Sequence, residues 1–463
     1  EILKGDVTLD SQRARQDFLL GTGMSPQYKS GSVACDFGLM PDVDYLAADN
    51  SAPEVTAMAY ARIRQLSAHE VGHTLGFAHN FAASTYGRGS VMDYPAPMVE
   101  IKNGKLDLSN AYAVGIGPFD KFAVRYSYEQ FAPTANENAE LQKIVNEGIA
   151  NGMLFISDGD TRPANAANPL SNLWDNGSDP VAMLKHEMQV RRIGLNEFSI
   201  ENIPTGAPMS ELENKFLPLY LHHRYQLTAA IKSLGGVYYT YAVREGGSPR
   251  PSRVTENVSP DTQRKALEVI LETIRASELT IPENTLKMMP PTAYGYGSGR
   301  SELFAKRTSP VFDPVGAAEI AADMTISGLL EPSRAARMVV QNSRNKLSPH
   351  FREVVDALMR VTWRAPISAD TEQAIIQRAV QSLVVGRLMD LAANERAQAQ
   401  VRAVATESLR SLMATLRRTP ATGETAAHYR VTVDDIDRFL TRPDAPRKQS
   451  TPLTTPPGDP IGN

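Results

Sequence analysis

His69-Glu70-Val71-Gly72-His73-Thr74-Leu75-Gly76-Phe77-Ala78-His79 is the stretch from which the rest of the chain can be read. Ahead of it, Ser51-Ala-Pro-Glu54 is a capping-box pattern with Pro in the first turn, and no breaker interrupts Val55 to about Leu75, which predicts a helix through both first histidines. Side chains four apart on a helix are neighbours, about 5–6 Å between Cβ atoms, so His69 and His73 can aim at one ion. Continued helix would turn His79 to the far side. Gly76 is where the helix is expected to stop, because glycine takes the left-handed conformation at a helix end without a Cβ penalty and lets the chain fold back. Three neutral imidazoles leave one tetrahedral position open, the arrangement of a catalytic rather than a structural zinc site. Glu70, beside the first ligand, is then placed to take a proton from a water activated there. By chance this chain's composition gives on the order of 10⁻⁵ matches to the five fixed positions.

Downstream comes Ser90-Val91-Met92-Asp93-Tyr94-Pro95. Here the sequence resembles the metzincin metalloproteases, in which a methionine-containing turn lies beneath a three-histidine zinc site. The resemblance implies that Met92 forms an apolar floor for the ligand rings. It also implies that the Tyr94 hydroxyl ligates the resting metal or donates to the oxyanion of a tetrahedral intermediate. Asp93 and Asn80 read as turn-stabilising acceptors. More narrowly, the chain is similar to a bacterial family of large Met-zincins. The shared features are the 1–9 stretch with the following Ser-Gln-Arg-Ala-Arg-Gln-Asp, the run His69–Asn80, the turn 90–95, Gly117-Pro-Phe-Asp-Lys-Phe-Ala, and Leu219-Tyr-Leu-His-His-Arg-Tyr with Gly235-Gly236-Val-Tyr. What this implies is a zinc endopeptidase with one catalytic ion, acting on peptide or protein substrates, in an extracytoplasmic location. The competing expectation is a zinc-free or vestigial site in a binding module of a bacterial envelope or surface assembly. Since 68 residues precede His69 and a metzincin upper subdomain needs several strands before its active-site helix, part of the sheet is expected to lie upstream of Glu1.

Outward from the motif, 463 residues are enough for about three domains. The 48 Lys and Arg against 52 Asp and Glu give a net charge of −4, which makes no electrostatic case for a nucleic-acid partner. No apolar run is long enough for a transmembrane helix. The lone Cys35 excludes an internal disulfide and a cysteine-based zinc site. Residues 1–9 alternate Leu3, Val7 and Leu9 with Lys4, Asp6 and Thr8, a strand pattern. Ser11 to Leu20 reads as a short helix closed by Gly21, followed by a long loop over 21–50. Asn103-Gly104 signals a hairpin, and a helix is expected around Phe119–Tyr128. Helical periodicity recurs at 137–150, 180–192, 210–234, 260–276, 315–330, 332–343, 349–361, 370–393 and 396–417, with a strand over 237–243. The predicted fold class is α+β: a metzincin-like catalytic domain (1–130, a partial mixed sheet plus the active-site helix), a helical subdomain with a strand (131–245), a helical C-terminal domain (246–441), and a Pro-rich tail (442–463) expected to be extended or disordered.

Weaker candidates stand beside these. Asp158, Asp160, Asp175 and Asp179 offer oxygens for calcium, though turn and capping chemistry explains them more cheaply. His222-His223 read as buried, hydrogen-bonded helix histidines rather than a second metal site. Tyr238, Tyr239 and Tyr241 read as packing and rim residues. The sequence does not set the oligomeric state.

Overall fold

The computed structural model describes residues 17–24, 53–244, 254–292, 294–295, 303–442 and 452–456. The predicted strand 1–9, most of the loop 21–50 with Cys35, the cap at Ser51 and most of the Pro-rich tail lie outside the described residues. Helix α1 covers 17–24 and runs through Gly21, where a stop was expected. Close packing explains that glycine: a Cβ on Gly21 would come within 2.9 Å of Met58, and one on Gly23 within 2.7 Å of the Lys215 carbonyl. Gly21 therefore admits a neighbour rather than ending the helix.

Helix α2, Pro53–Thr74, carries the first half of the histidine stretch. It starts on proline, as do Pro118–Tyr128, Pro180–Glu197, Pro260–Glu272, Pro314–Leu329 and Pro332–Arg344, where the missing N–H would be unpaired in any helix and φ is already set. The predicted hairpin is β1 (Glu100–Lys102) against β2 (Lys105–Asp107), antiparallel with Lys102 opposite Lys105. Asn103 and Gly104 at its tip have φ of 53° and 77°, the two left-handed positions that a type I′ turn requires. A second antiparallel pair joins β3 (Val237–Tyr239) to β4 (Thr255–Asn257). The molecule is thus mostly helical with small antiparallel sheets, an α+β fold with a helical C-terminal region.

The expected continuous helix over 210–234 is two helices, Leu212–Tyr220 and Arg224–Ile231. The break falls past Pro218, at 221–223, where His222 N–H reaches the Leu219 carbonyl at 3.2 Å and Arg224 N–H the Leu221 carbonyl at 3.0 Å, three-residue turns in place of the helical ladder, so that His222 and His223 lie between the two helices. Beyond it, Pro314–Leu329 and Thr371–Ala393 pack along each other at the centre of the helical region, flanked by Ala399–Leu416 and Gly423–Thr441. The last of these is an additional helix, and Tyr429, Val433, Ile436 and Leu440 line its core-facing side at helical spacing. One cluster of buried apolar side chains extends from Phe18 through Leu219 and Val384 to Ile436. Part of the tail joins it: Leu453 packs against this core and would touch a Cβ placed on Gly316. No helix among the described residues is long and apolar enough to cross a membrane.

Candidate metal centre

Helix α2 ends at Thr74 in a paired set of bonds: Phe77 N–H reaches the Gly72 carbonyl at 3.1 Å and Gly76 N–H the His73 carbonyl at 2.9 Å. That is a Schellman end, and it needs a left-handed residue at Gly76, whose φ is 88° with nothing within 4 Å of a Cβ placed there. Gly76 is demanded by backbone conformation alone. The reversal brings His79 back to the helix, so that one nitrogen from each of His69, His73 and His79 lies within 4.8 Å of the others, a group that could hold a metal ion.

Which nitrogens face inward follows from what the others touch. His69 Nδ1 lies 2.6 Å from the Val91 carbonyl, His73 Nδ1 2.9 Å from the Phe77 carbonyl, and His79 Nδ1 2.9 Å from Asp158 Oδ2. All three partners only accept, so each Nδ1 carries the proton and each Nε2 presents a lone pair. His73 and His79 bring those lone pairs to 3.1 Å of each other. Two acceptors that close repel unless a cation lies between them. Zinc–nitrogen bonds of about 2.0–2.1 Å in tetrahedral geometry put ligand nitrogens about 3.3 Å apart, close to the separation of His73 and His79, so a donor set of three imidazoles with this spacing is consistent with zinc. Burial holds the His69 imidazole down at about 3, with the neighbouring His73, His79 and Arg62 adding to it against the Val91 carbonyl. Burial also lowers His79, against the opposing pull of Asp158. Both rings are therefore neutral, as ligation requires. Glu70 follows His69 on the helix and is half-buried.

Met92 is 1 % exposed and lies directly under α2. A Cβ on Gly72 would come within 2.2 Å of its sulphur, so the glycine between the two helical histidines is the opening through which the methionine approaches. The turn that carries it is clamped by a carboxylate from the next helix, Pro118–Tyr128. Asp120 accepts from Val91 N–H at 2.9 Å, Gly117 N–H at 2.6 Å and Ser90 Oγ at 2.5 Å. Asn80, fully buried, ties the chain after His79 to the same layer: it donates to the Leu154 carbonyl, its Oδ1 accepts from Ala82 and Ile156, and its N–H reaches the Met92 carbonyl at 3.0 Å.

The Tyr94 hydroxyl donates to His79 Nε2 at 2.8 Å. The ring is sandwiched: Trp174 stacks on it at 5.0 Å between centroids, and the Arg162 guanidinium sits 5.5 Å from its centre. Trp174 N–H bonds the Tyr94 carbonyl at 2.8 Å, and Trp174 itself has φ of 60°, a left-handed conformation costly for a bulky residue and concentrated at functional sites. Asp158 links His79 to Arg162, whose Nε donates to Oδ1 at 2.6 Å. Partial burial raises the Asp158 carboxyl, but its bonds to Arg162 and His79 outweigh that and hold it at about 2.

The four aspartates weighed for calcium are divided among separate tasks. Asp160 accepts from the Tyr239 and Tyr241 hydroxyls, and Asp179 caps the helix Pro180–Glu197. Asp175 and Asp93 both bond Ser84, at 3.1 and 3.2 Å, beneath the methionine turn. Burial pushes Asp175 up to about 6 and Asp93 well above its ordinary value, with Asp175 adding to the latter. His222 is buried against Glu187. His223 is buried too, but neither ring nitrogen has a hydrogen-bond partner, contrary to expectation, and burial keeps it neutral. Among the described residues, the only group of three or more histidines, cysteines and carboxylates close enough to share an ion is the histidine triad.

Sequence reasoning passed over Gly72, Asp120, Trp174 and the site role of Asp158. Signals existed for some of them. A glycine inside a helix costs about 1 kcal/mol and asks for a packing reason, and a metal-ligating histidine needs an acceptor for its second nitrogen. Nothing in the sequence says that the acceptor for His79 lies 79 residues further on.

A family model described as Met-zincin matches residues 51–370, which takes in the histidine stretch, the methionine turn, Asp120, Asp158 and Trp174. No curated protein and no solved structure matches the chain. With the match spanning more than half of its length, this chain belongs to the Met-zincin family.

Proposed function

We propose that the protein is a zinc-dependent endopeptidase. The observation that carries this is the convergence of three Nε2 lone pairs, each fixed by an acceptor on the opposite nitrogen of its ring. Zinc, when bound by His69, His73 and His79, supplies a Lewis acid for the scissile carbonyl and lowers the pKa of the attacking water. Glu70, adjacent to the first ligand, takes the proton from that water and returns it to the leaving amine. Tyr94 donates its hydroxyl to the oxygen that becomes negative as the carbonyl turns tetrahedral, from a ring held between Trp174 and Arg162. Met92 closes the floor of the site, and Gly76 sets the reversal that delivers His79. Peptide or protein chains are the substrate class, and the resemblance to a bacterial family supports an extracytoplasmic setting. The division of the chain at 130, 245 and 441 belongs to the same reading.

Glu70→Gln in the full chain tests the mechanism. The variant is expected to bind one zinc per chain and to lose hydrolysis of a denatured protein by about 10²-fold or more. A variant as active as the parent refutes the assignment.

A further inference from the structure

The residues that finish the metal centre come from outside the stretch that supplies its ligands. Asp158 opens the single helical turn Asp158–Thr161, and Arg162 follows as its C-cap. Asp158 Oδ2 takes the His79 Nδ1 proton at 2.9 Å and its Oδ1 takes Arg162 Nε at 2.6 Å. The guanidinium lies 5.4 Å from the Phe81 ring and 5.5 Å from the Tyr94 ring. That turn is fastened to the helical region at several points. Lys232 Nζ, buried on the helix end beyond Arg224–Ile231, donates to the Thr161 carbonyl at 3.0 Å and the Ser171 carbonyl at 2.6 Å. Tyr239 and Tyr241, on and just after β3, hold Asp160.

The charges have a simple logic. Three neutral imidazoles leave the two positive charges of a bound metal uncompensated, and a guanidinium beside the third ligand adds another. Asp158 is the carboxylate in contact with both His79 and Arg162, so removing its charge would set Arg162 against the metal. Nε donation to Asp158 in turn fixes the plane of the Arg162 fork, whose rigid geometry makes it a positioning group rather than a loose point charge.

We propose that Asp158 and Arg162 form a positioning pair for the metal centre: Asp158 fixes the His79 imidazole, and Arg162, oriented by Asp158, holds the Tyr94 ring so that its hydroxyl reaches the metal position beside His79 Nε2. The helical region that follows the zinc motif then has a task at the centre, since it anchors the turn that bears this pair. The inference rests on the metalloprotease reading and adds two residues to it.

The test uses the full chain with Asp158→Asn and Arg162→Gln, and two readouts besides turnover. Zinc affinity is measured by competition with a chromophoric chelator. The hold on Tyr94 is read in the Cu²⁺-loaded protein from the phenolate-to-copper charge-transfer band, with Tyr94→Phe as the blank. Asp158→Asn is expected to weaken zinc binding by about 10-fold or more. Arg162→Gln is expected to hold zinc affinity at or above wild type, because a positive charge is removed beside the metal, to lose most of the band, and to lower kcat with KM unchanged; Arg162→Lys should recover part of the band and of kcat. Wild-type zinc affinity in Asp158→Asn overturns the first half, and an intact band in Arg162→Gln, or no band in wild type, overturns the second. If Asp158→Asn does not fold, by circular dichroism of the metal-free protein, the Arg162 arm decides alone. A wild-type protein that binds zinc but cleaves nothing refutes the protease reading and leaves the affinity comparison standing.

Discussion

Gly72→Ala is the change whose sign most clearly separates this structure from a generic helix. In an ordinary helix interior, alanine is more stable than glycine by about 0.5–1 kcal/mol. At Gly72 the new Cβ would come within 2.2 Å of the Met92 sulphur, with two further Met92 carbons at 3.4 and 3.6 Å. Methionine is flexible and its sulphur can swing, but Met92 is 1 % exposed, so it can move only by displacing packed neighbours. Overpacking of this kind costs about 1–3 kcal/mol. After subtracting the propensity gain, the variant should be less stable by about 0.5–2 kcal/mol. Chemical denaturation of the metal-free protein measures the difference. The cause is isolated by the pair Met92→Ala and Gly72→Ala/Met92→Ala, in which the glycine substitution should turn neutral or stabilising because the sulphur is gone. A Gly72→Ala protein at least as stable as wild type would show that Met92 does not lie against this helix turn, and the floor assigned to the site would fall with it.

Other substitutions probe neighbouring parts. Asp120→Ala strips the clamp from Val91 N–H, Gly117 N–H and Ser90 Oγ in a buried place, and should cost about 2–5 kcal/mol in denaturation and weaken zinc binding; a loss below ~1 kcal/mol contradicts the clamp. Asp175→Asn should show a pH-dependent effect. Burial raises the Asp175 carboxyl to about 6 in the fold from 3.8, so the folded state holds this proton more tightly, the favourable contribution is complete below about pH 4, and it is lost as pH rises through 6. Relative to wild type, the Asn variant should therefore gain about 1–3 kcal/mol between pH 4 and pH 8, and an equal difference at both pH values contradicts the raised carboxyl. Gly76→Ala should loosen the reversal that carries His79, at about 1–2 kcal/mol for the left-handed residue, and lower zinc affinity without any core clash; unchanged affinity argues against the reversal as the positioning element.

What could be read in advance was local. The hairpin at Asn103-Gly104 and most helices announce themselves through φ requirements and apolar spacing that act within a few residues. The pairing of His69 with His73 is helix arithmetic. What stayed hidden is what the chain brings together across distance. Trp174 beneath Tyr94, and Asp120 beneath the methionine turn, are placed by packing between elements, and no spacing rule reaches that far. The helix Gly423–Thr441 was legible and missed: Tyr429, Val433, Ile436 and Leu440 stand at helical spacing on one face. The break at 221–223 falls on Leu-His-His, with neither glycine nor proline in it, so the apolar spacing on either side reads as one helix. Gly21 misled because a glycine that makes room for Met58 looks, in sequence, like one that ends a helix.

The central claim is a zinc ion bound by three imidazoles through their Nε2 atoms, and zinc-edge X-ray absorption on the reconstituted protein addresses it most directly. The account predicts one zinc per chain, with three imidazole nitrogens and an oxygen at about 2.0–2.1 Å, and loss of an imidazole shell in His79→Ala. A six-coordinate, all-oxygen shell, or a spectrum indifferent to His79→Ala, would contradict it.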